Sequence, residues 1–126
     1  DELKSIGFQS IQNPEDVKQA LENAEGTTLL VVNSVCGCAA ANARPGVRMA
    51  LDQGKKPNHL VTVFAGVDTE ATKMARNYLA PYPPSSPSIA LFKDGKLVHF
   101  LERHNIEGKS AHIIANNLID AFETFC

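Results

Sequence analysis

At 126 residues the chain has the size of one domain, taken as 1–126, and is long enough to bury a real core. Apolar residues make up 44% and charged residues 21%, and the formal net charge is -2, so a nucleic-acid partner has no electrostatic support. No apolar run approaches a membrane span, and no signal-type segment is visible in a sequence that opens on Asp1.

In chain order, Gly7 to Ile11 reads as a short first strand. Asn13 suits a helix N-cap, Pro14 the first helical position, and Glu15 and Asp16 the first turn, where the helix dipole favours acids. Val17, Ala20, Leu21 and Ala24 then fall on one helical face, and Gly26 is a stop. Thr28 to Val35 is a nearly continuous apolar, β-branched run, the pattern of a central strand covered on both faces. A helix follows from about Ala39 to Leu51, with Pro45 and Gly46 expected to interrupt and kink it.

Leu60 to Val67 is a second buried-type strand, and Thr69 to Leu79 a helix with Ala71, Met74, Ala75 and Tyr78 on one face. Pro81, Pro83, Pro84 and Pro87 exclude a helix from the next stretch. Ser88 to Lys93 is a strand, Asp94-Gly95 a tight hairpin turn, and Lys96 to Leu101 the returning strand. The last helix runs from about Ser110 to Phe125, with Ile114, Leu118, Phe122 and Phe125 as its apolar stripe. The order β-α-β-α-β-α-β-β-α is that of an α/β protein with a central mixed sheet and helices on both faces.

The chemistry sits at Cys36-Gly37-Cys38, directly after the two-sided strand and at the start of a helix. A helix N-terminus favours negative charge, and the thiolate is the reactive form of cysteine. Bridged cysteines need Cα atoms within roughly 4.4 to 6.8 Å, and Gly37 supplies the backbone freedom to close so short a bridge. Such a bridge is strained, and strained disulfides are the labile, exchanging kind, which predicts a weak reductant that favours exchange and isomerisation. Cys36, at the strand's end, is the attacking thiol; Cys38, at or inside the first helical turn, is the resolving one.

Arg44 and Arg48 are the nearest cations in sequence; Arg44 reads as readily as a solvated or structural arginine as a group that lowers a thiol pKa, and Arg48 reads first as a solvated or structural one. Cys126 reads equally as a mobile terminal thiol or as a third exchange partner. With three cysteines the chain lacks the framework of a secreted, disulfide-stapled domain and fits a cytoplasmic protein with reactive or metal-binding thiols. Paired thiolates also suit zinc or copper(I), with Cys126 or one of His59, His99, His104 and His112 completing the shell. A thiolate metal carrier, and an interaction module that keeps the fold without turnover, are therefore the rival readings.

The element order, the thiols at a strand-helix junction, Pro45, and Pro87 before Ser88-Ile89-Ala90-Leu91-Phe92-Lys93-Asp94-Gly95-Lys96 together resemble the thioredoxin fold. The single residue between the cysteines departs from thioredoxins. With Val32-Asn33-Ser34-Val35-Cys36-Gly37-Cys38-Ala39-Ala40, Ala43-Arg44-Pro45-Gly46, Val61-Thr62-Val63-Phe64-Ala65-Gly66, Pro81-Tyr82-Pro83-Pro84-Ser85-Ser86-Pro87-Ser88 and His104-Asn105-Ile106-Glu107-Gly108, the chain resembles the bacilliredoxin family over nearly its whole length. Family members typically begin with a further stretch absent here.

The resemblance implies a cis Pro87, preceded by Ser86, facing the active-site thiols, and support from Gly37 and Arg44. It implies removal of bacillithiol, a low-molecular-weight thiol, from S-thiolated client proteins in the cytoplasm. Cys36 would take the small thiol, and Cys38, Cys126 or a second bacillithiol would release it, with weak disulfide isomerase or reductase activity besides. It implies no bound cofactor and no metal.

Overall fold

A strand with apolar side chains on both faces needs cover on both, and the chain supplies it with helices on either side of a sheet. The computed structural model describes residues 7–22, 26–34, 38–52, 56–65, 69–79, 88–106 and 108–126; at 33, 34, 38–43, 64, 65, 103 and 104 it describes the backbone alone. The elements are β1 (Gln9–Ser10), α1 (Pro14–Glu22), β2 (Thr27–Ser34), α2 (Cys38–Leu51), β3 (His59–Ala65), α3 (Thr69–Asn77), β4 (Ser88–Lys93), β5 (Lys96–Leu101), α4 (Arg103–Ile106) and α5 (Ala111–Phe125). The expected order holds, with one addition, the four-residue helix α4.

The five strands form one mixed sheet in the order β1-β3-β2-β4-β5. Strands β1, β3 and β2 are parallel, β4 runs antiparallel to β2, and β5 antiparallel to β4. β2 is thus bonded on both edges. Its side chains alternate between two cores: Leu29 and Val31 join Val47, Ala50 and Leu51 of α2 and Ile114, Leu118 and Phe122 of α5. Leu30 and Val32 join Val17 and Leu21 of α1 and Ala71 and Ala75 of α3 on the opposite face. All four β2 residues are at most 1% exposed. Burying each such side chain contributes about 1.5–3 kcal/mol, so β2 stabilises both layers at once.

Local signals set the element ends. The Asn13 Oδ1 accepts the Asp16 N–H at 3.0 Å, and its amide donates to the Asp16 carboxylate at 2.9 Å, a reciprocal cap on α1. Ser110 caps α5 by accepting the Ile113 N–H at 3.2 Å. Asp94 and Gly95 both take positive φ, 51° and 83°, as a two-residue hairpin turn of the type that matches strand twist. In the β4–β5 ladder Leu91 faces His99 while Phe92 faces Leu97, so Val98 is an extra residue that bulges the edge strand.

Helix α2 runs unbroken across Pro45, so the expected interruption does not divide it. Packing explains the difference: Val47, Ala50 and Leu51, on the far side of the proline, are at most 5% exposed, and tertiary burial outweighs one missing backbone hydrogen bond. Gly46 lets α2 approach α5. A Cβ there would lie 2.7 Å from Ile114 Cγ2, 2.8 Å from Ile114 Cβ and 3.2 Å from the Ala111 carbonyl.

On the other face, the Tyr78 hydroxyl donates to Glu22 Oε2 at 2.7 Å and ties the end of α3 to the end of α1. That hydrogen bond, with burial and the carboxylate's charge behind it, pushes the phenol up to about 12.

Two measurements check these contacts. Gly46→Ala, which would stabilise an open helix, is expected to lower stability by about 1–3 kcal/mol here because neither Ile114 Cβ nor the Ala111 carbonyl can withdraw cheaply; a urea midpoint at or above wild type would contradict the close approach. For Tyr78, the raised folded-state pKa means its stabilisation is complete below pH ~10 and is lost as pH climbs from ~10 towards 12. In a Tyr82→Phe background, ultraviolet titration should give a single phenol midpoint near 12, and Glu22→Gln should bring it down towards the ordinary value.

Candidate active site

Strand β2 ends at Ser34 and α2 begins at Cys38, so the passage between them carries the thiol motif. Cys36 and Gly37 lie outside the described residues. Cys38 is the first residue of a 14-residue helix, at the end where first-turn N–H groups have no helical partner and the dipole is positive. That is the position expected for a thiol whose anion the backbone stabilises.

The sheet brings a second segment to the same end. Val32 and Ser88 are the last partners of the β2–β4 ladder, so the chain enters β4 beside the place where β2 ends. Ser86 and Pro87, which precede Ser88 directly, also lie outside the described residues. Ser88 itself is 1% exposed, and its hydroxyl has no hydrogen-bond partner among the described residues. A buried hydroxyl left without a partner costs about 1–3 kcal/mol. In the sequence Ser88 reads only as the start of a strand; a serine at the first position of an otherwise apolar Ser88-Ile89-Ala90-Leu91-Phe92 run is the signal that marks it.

The other candidates are placed less favourably. Arg44 is half-buried on α2, six residues after Cys38. That separation is about 9 Å along the axis and roughly 120° around it, so the helix itself does not bring the guanidinium beside Cys38. Arg48 is exposed a further turn away. His99 is bonded to Asn117 Oδ1 at 2.6 Å, a link between β5 and α5. His59 and His112 are exposed, and the side chain of His104 is outside the described residues.

Cys126 is at the opposite end of the molecule. It closes α5 as its C-cap, and its thiol donates to Thr27 Oγ1 at 3.6 Å. Thr27 is the first residue of β2, and its N–H and hydroxyl donate to Asn58 Oδ1 at 2.9 and 3.3 Å while the Asn58 N–H donates back at 3.1 Å. Seven residue steps separate Thr27 from Ser34, about 23 Å along the strand. A disulfide needs Cα atoms within about 7 Å. The expectation that Cys126 resolves a mixed disulfide within its own chain therefore meets a length of strand that it cannot cross, and the same distance removes it from any metal shell built on Cys38. Among the described residues no group of three His, Cys, Asp or Glu side chains is placed to hold a metal ion, and no helix is long and apolar enough to cross a membrane. A cavity of about 490 Å3 opens at the β1 edge, lined by Gln9, Gln19, His59 and Leu60; it lies at the start of β3, away from the thiol end.

Comparison with known proteins bears on this arrangement. The family model described as disulphide isomerase matches residues 1–126. A bacilliredoxin of Cytophaga hutchinsonii is 60% identical over 117 residues, covering 93% of this chain and 86% of that one. A bacilliredoxin of Halalkalibacterium halodurans is 54% identical over 125 residues, 99% of this chain and 87% of that one. Among solved structures, Fasciola hepatica thioredoxin superposes with a TM-score of 0.65 at 15% identity, covering 94% of this chain and all (100%) of that one. Reduced Schistosoma mansoni thioredoxin gives 0.65 at 15% identity over 93% and 96% of the two chains. At these identities the solved structures show the fold, which is the thioredoxin fold.

Peptide mapping checks the separation of the thiols. After mild oxidation with diamide, the monomer band is expected to contain no peptide joining Cys126 to Cys36 or Cys38, and Cys126 disulfides should appear only in dimers. A Cys38–Cys126 cross-link within native monomer would refute the placement of α5.

Proposed function

The chain belongs to the bacilliredoxin family, a family of thiol-disulfide oxidoreductases on the thioredoxin fold, and from that premise we propose that it removes bacillithiol, or a similar small thiol, from mixed disulfides on oxidised client proteins. The observation that carries this reading is the start of α2 at Cys38, directly after the doubly buried strand. It puts the second cysteine of the motif at a helix N-terminus, where a thiolate is stabilised, and so supports the reading.

In the proposed reaction the Cys36 thiolate attacks the small thiol's sulfur in the client disulfide. A bond forms between Cys36 and that sulfur, and the client cysteine leaves as a thiolate that takes a proton from water. Cys38, as thiolate, then attacks the Cys36 sulfur; the Cys36–Cys38 disulfide forms and the small thiol leaves with the electron pair. A second small thiol offers the alternative attack, returning Cys36 as a thiolate and leaving as the oxidised small-thiol disulfide. Neither route uses a bound cofactor. Cys126 has no part in it within one chain.

The short motif also suits weak isomerase activity, because a strained bridge is readily reopened. The clients are S-thiolated proteins, and the setting is the cytoplasm, where thiols are kept reduced. Pro87 and Ser86 are assigned to the client-facing side of the site on the family resemblance, and the convergence of β2 and β4 at one end of the sheet supports that assignment.

Incubation with a bacillithiolated protein, followed by intact mass, tests the mechanism. Cys36→Ser is expected to fall to the uncatalysed rate. Cys38→Ser should accumulate protein carrying one small thiol on Cys36, discharged only by added thiol. Cys126→Ser should stay within about twofold of wild type, as for a substitution remote from the chemistry. Release by Cys36→Ser at the wild-type rate, or stoichiometric zinc or copper in protein purified reduced, would overturn the reading.

A further inference from the structure

The cavity at the β1 edge takes no part in the thiol chemistry. It opens because β1 is short. β1 pairs with β3 only at Val61 and Thr62. Gly7 takes a φ of 103°, a conformation that glycine adopts freely, and turns the chain away before the ladder reaches His59 and Leu60. The opposite wall is one flank of α1, where Asp16, Gln19 and Ala20 recur at i, i+3 and i+4. About 490 Å3 lies between the two, within the range of small-molecule sites.

The lining divides into two kinds of surface. Its buried part is aliphatic: Ile11 and Val61 are each 3% exposed, and Leu60 and Ala20 are half-buried beside them. Its exposed part is polar and includes Gln9, Asp16, Gln19 and Asn58. Two of these groups are already oriented. The Asn58 Oδ1 accepts the Thr27 N–H and hydroxyl at 2.9 and 3.3 Å, so the donor end of that amide, Nδ2, is left to serve elsewhere. Asp16 holds its Oδ2 to the Asn13 amide at 2.9 Å, and Oδ1 remains an acceptor. Among the described lining residues there is no lysine or arginine, so a phosphate or carboxylate ligand would meet the Asp16 charge without a fixed cation to offset it.

We propose that this cavity binds a neutral polyhydroxyl ligand, a single sugar ring or a cyclic polyol. Such a molecule carries C–H groups on its faces and hydroxyls around its edge, the same division that the lining shows. Each hydroxyl both donates and accepts, and can therefore answer the Asp16 acceptor, the Asn58 donor and the Gln9 amide together. A wholly apolar ligand would strip water from those groups and leave them unpaired. The site stands at the start of β3, six residue steps from Ala65 at the thiol end, or about 20 Å along the strand. The inference is independent of the proposed reaction.

Two-dimensional amide NMR of the full chain tests it, because the side-chain amides of Gln9, Gln19 and Asn58 report on the cavity directly. The probes are the methyl glycosides of glucose, galactose and mannose, and myo-inositol. Each is titrated to about 50 mM, well above the millimolar dissociation constants that a ligand of this size reaches in an open site. At least one probe is expected to give saturable shifts at those three amides and at the Leu60 and Val61 backbone, and to leave small-thiol release unchanged. Gln9→Ala should weaken binding by about three- to tenfold, the range for one lost hydrogen bond. Asp16→Ala, which leaves the Asn13 cap on the backbone N–H in place, should weaken it by about tenfold or more. The spectrum of each variant shows at the same time that its fold is kept. No saturable shift from any of the four probes, or equal binding by the Gln9→Ala/Asp16→Ala double variant, would overturn the proposal. So would saturable shifts from inorganic phosphate or N-acetylalanine amide in place of the sugars, which would assign the cavity to another class of ligand.

Discussion

The burial of β2 on both faces is the constraint from which the rest of the molecule follows. A strand with Leu29 and Val31 on one side and Leu30 and Val32 on the other cannot stand at a surface. It needs a strand on each edge to satisfy its backbone and a helical layer on each face to cover its side chains. β3 and β4 take the edges, α2 with α5 one face, and α1 with α3 the other. Reactive chemistry hung on the end of such a strand has a fixed base, because any tilt of β2 would open two cores at once.

The same arrangement explains why thiols can be placed so sparingly. Position at a helix N-terminus needs no dedicated cation, since backbone N–H groups and the dipole are supplied by the helix itself. Arg44 and Arg48 are on the wrong part of the turn to substitute for it. Gly46 then lets α2 lie close against α5.

Much of this could be read from the residues because the signals are local. The Asp94-Gly95 turn sets both strands of the hairpin, and Ser88–Lys93 and Lys96–Leu101 have the bounds the sequence indicates. Asn13 and Ser110 mark helix starts through their own side chains. The alternation of β2 was legible as two-sided burial. What was not legible depends on distant partners. Helix α4 is held by Asn105, whose side chain accepts the Glu102 N–H at 3.0 Å, and by Ile106, which is fully buried (0% exposed) under residues far away in sequence. The continuity of α2 through Pro45 comes from packing. The position of Cys126 depends on which end of β2 the last helix reaches, and the solitary state of the Ser88 hydroxyl on what surrounds it.

The bulge at Val98 reaches beyond the hairpin that contains it. A free strand edge is a template on which another chain can add itself, and β5 is such an edge. The extra residue breaks the even spacing of N–H and C=O groups along it, and Lys96 at its start is exposed. An edge whose spacing cannot be copied is a poor template, so β5 can stand at the margin of the sheet without drawing a neighbouring chain into it.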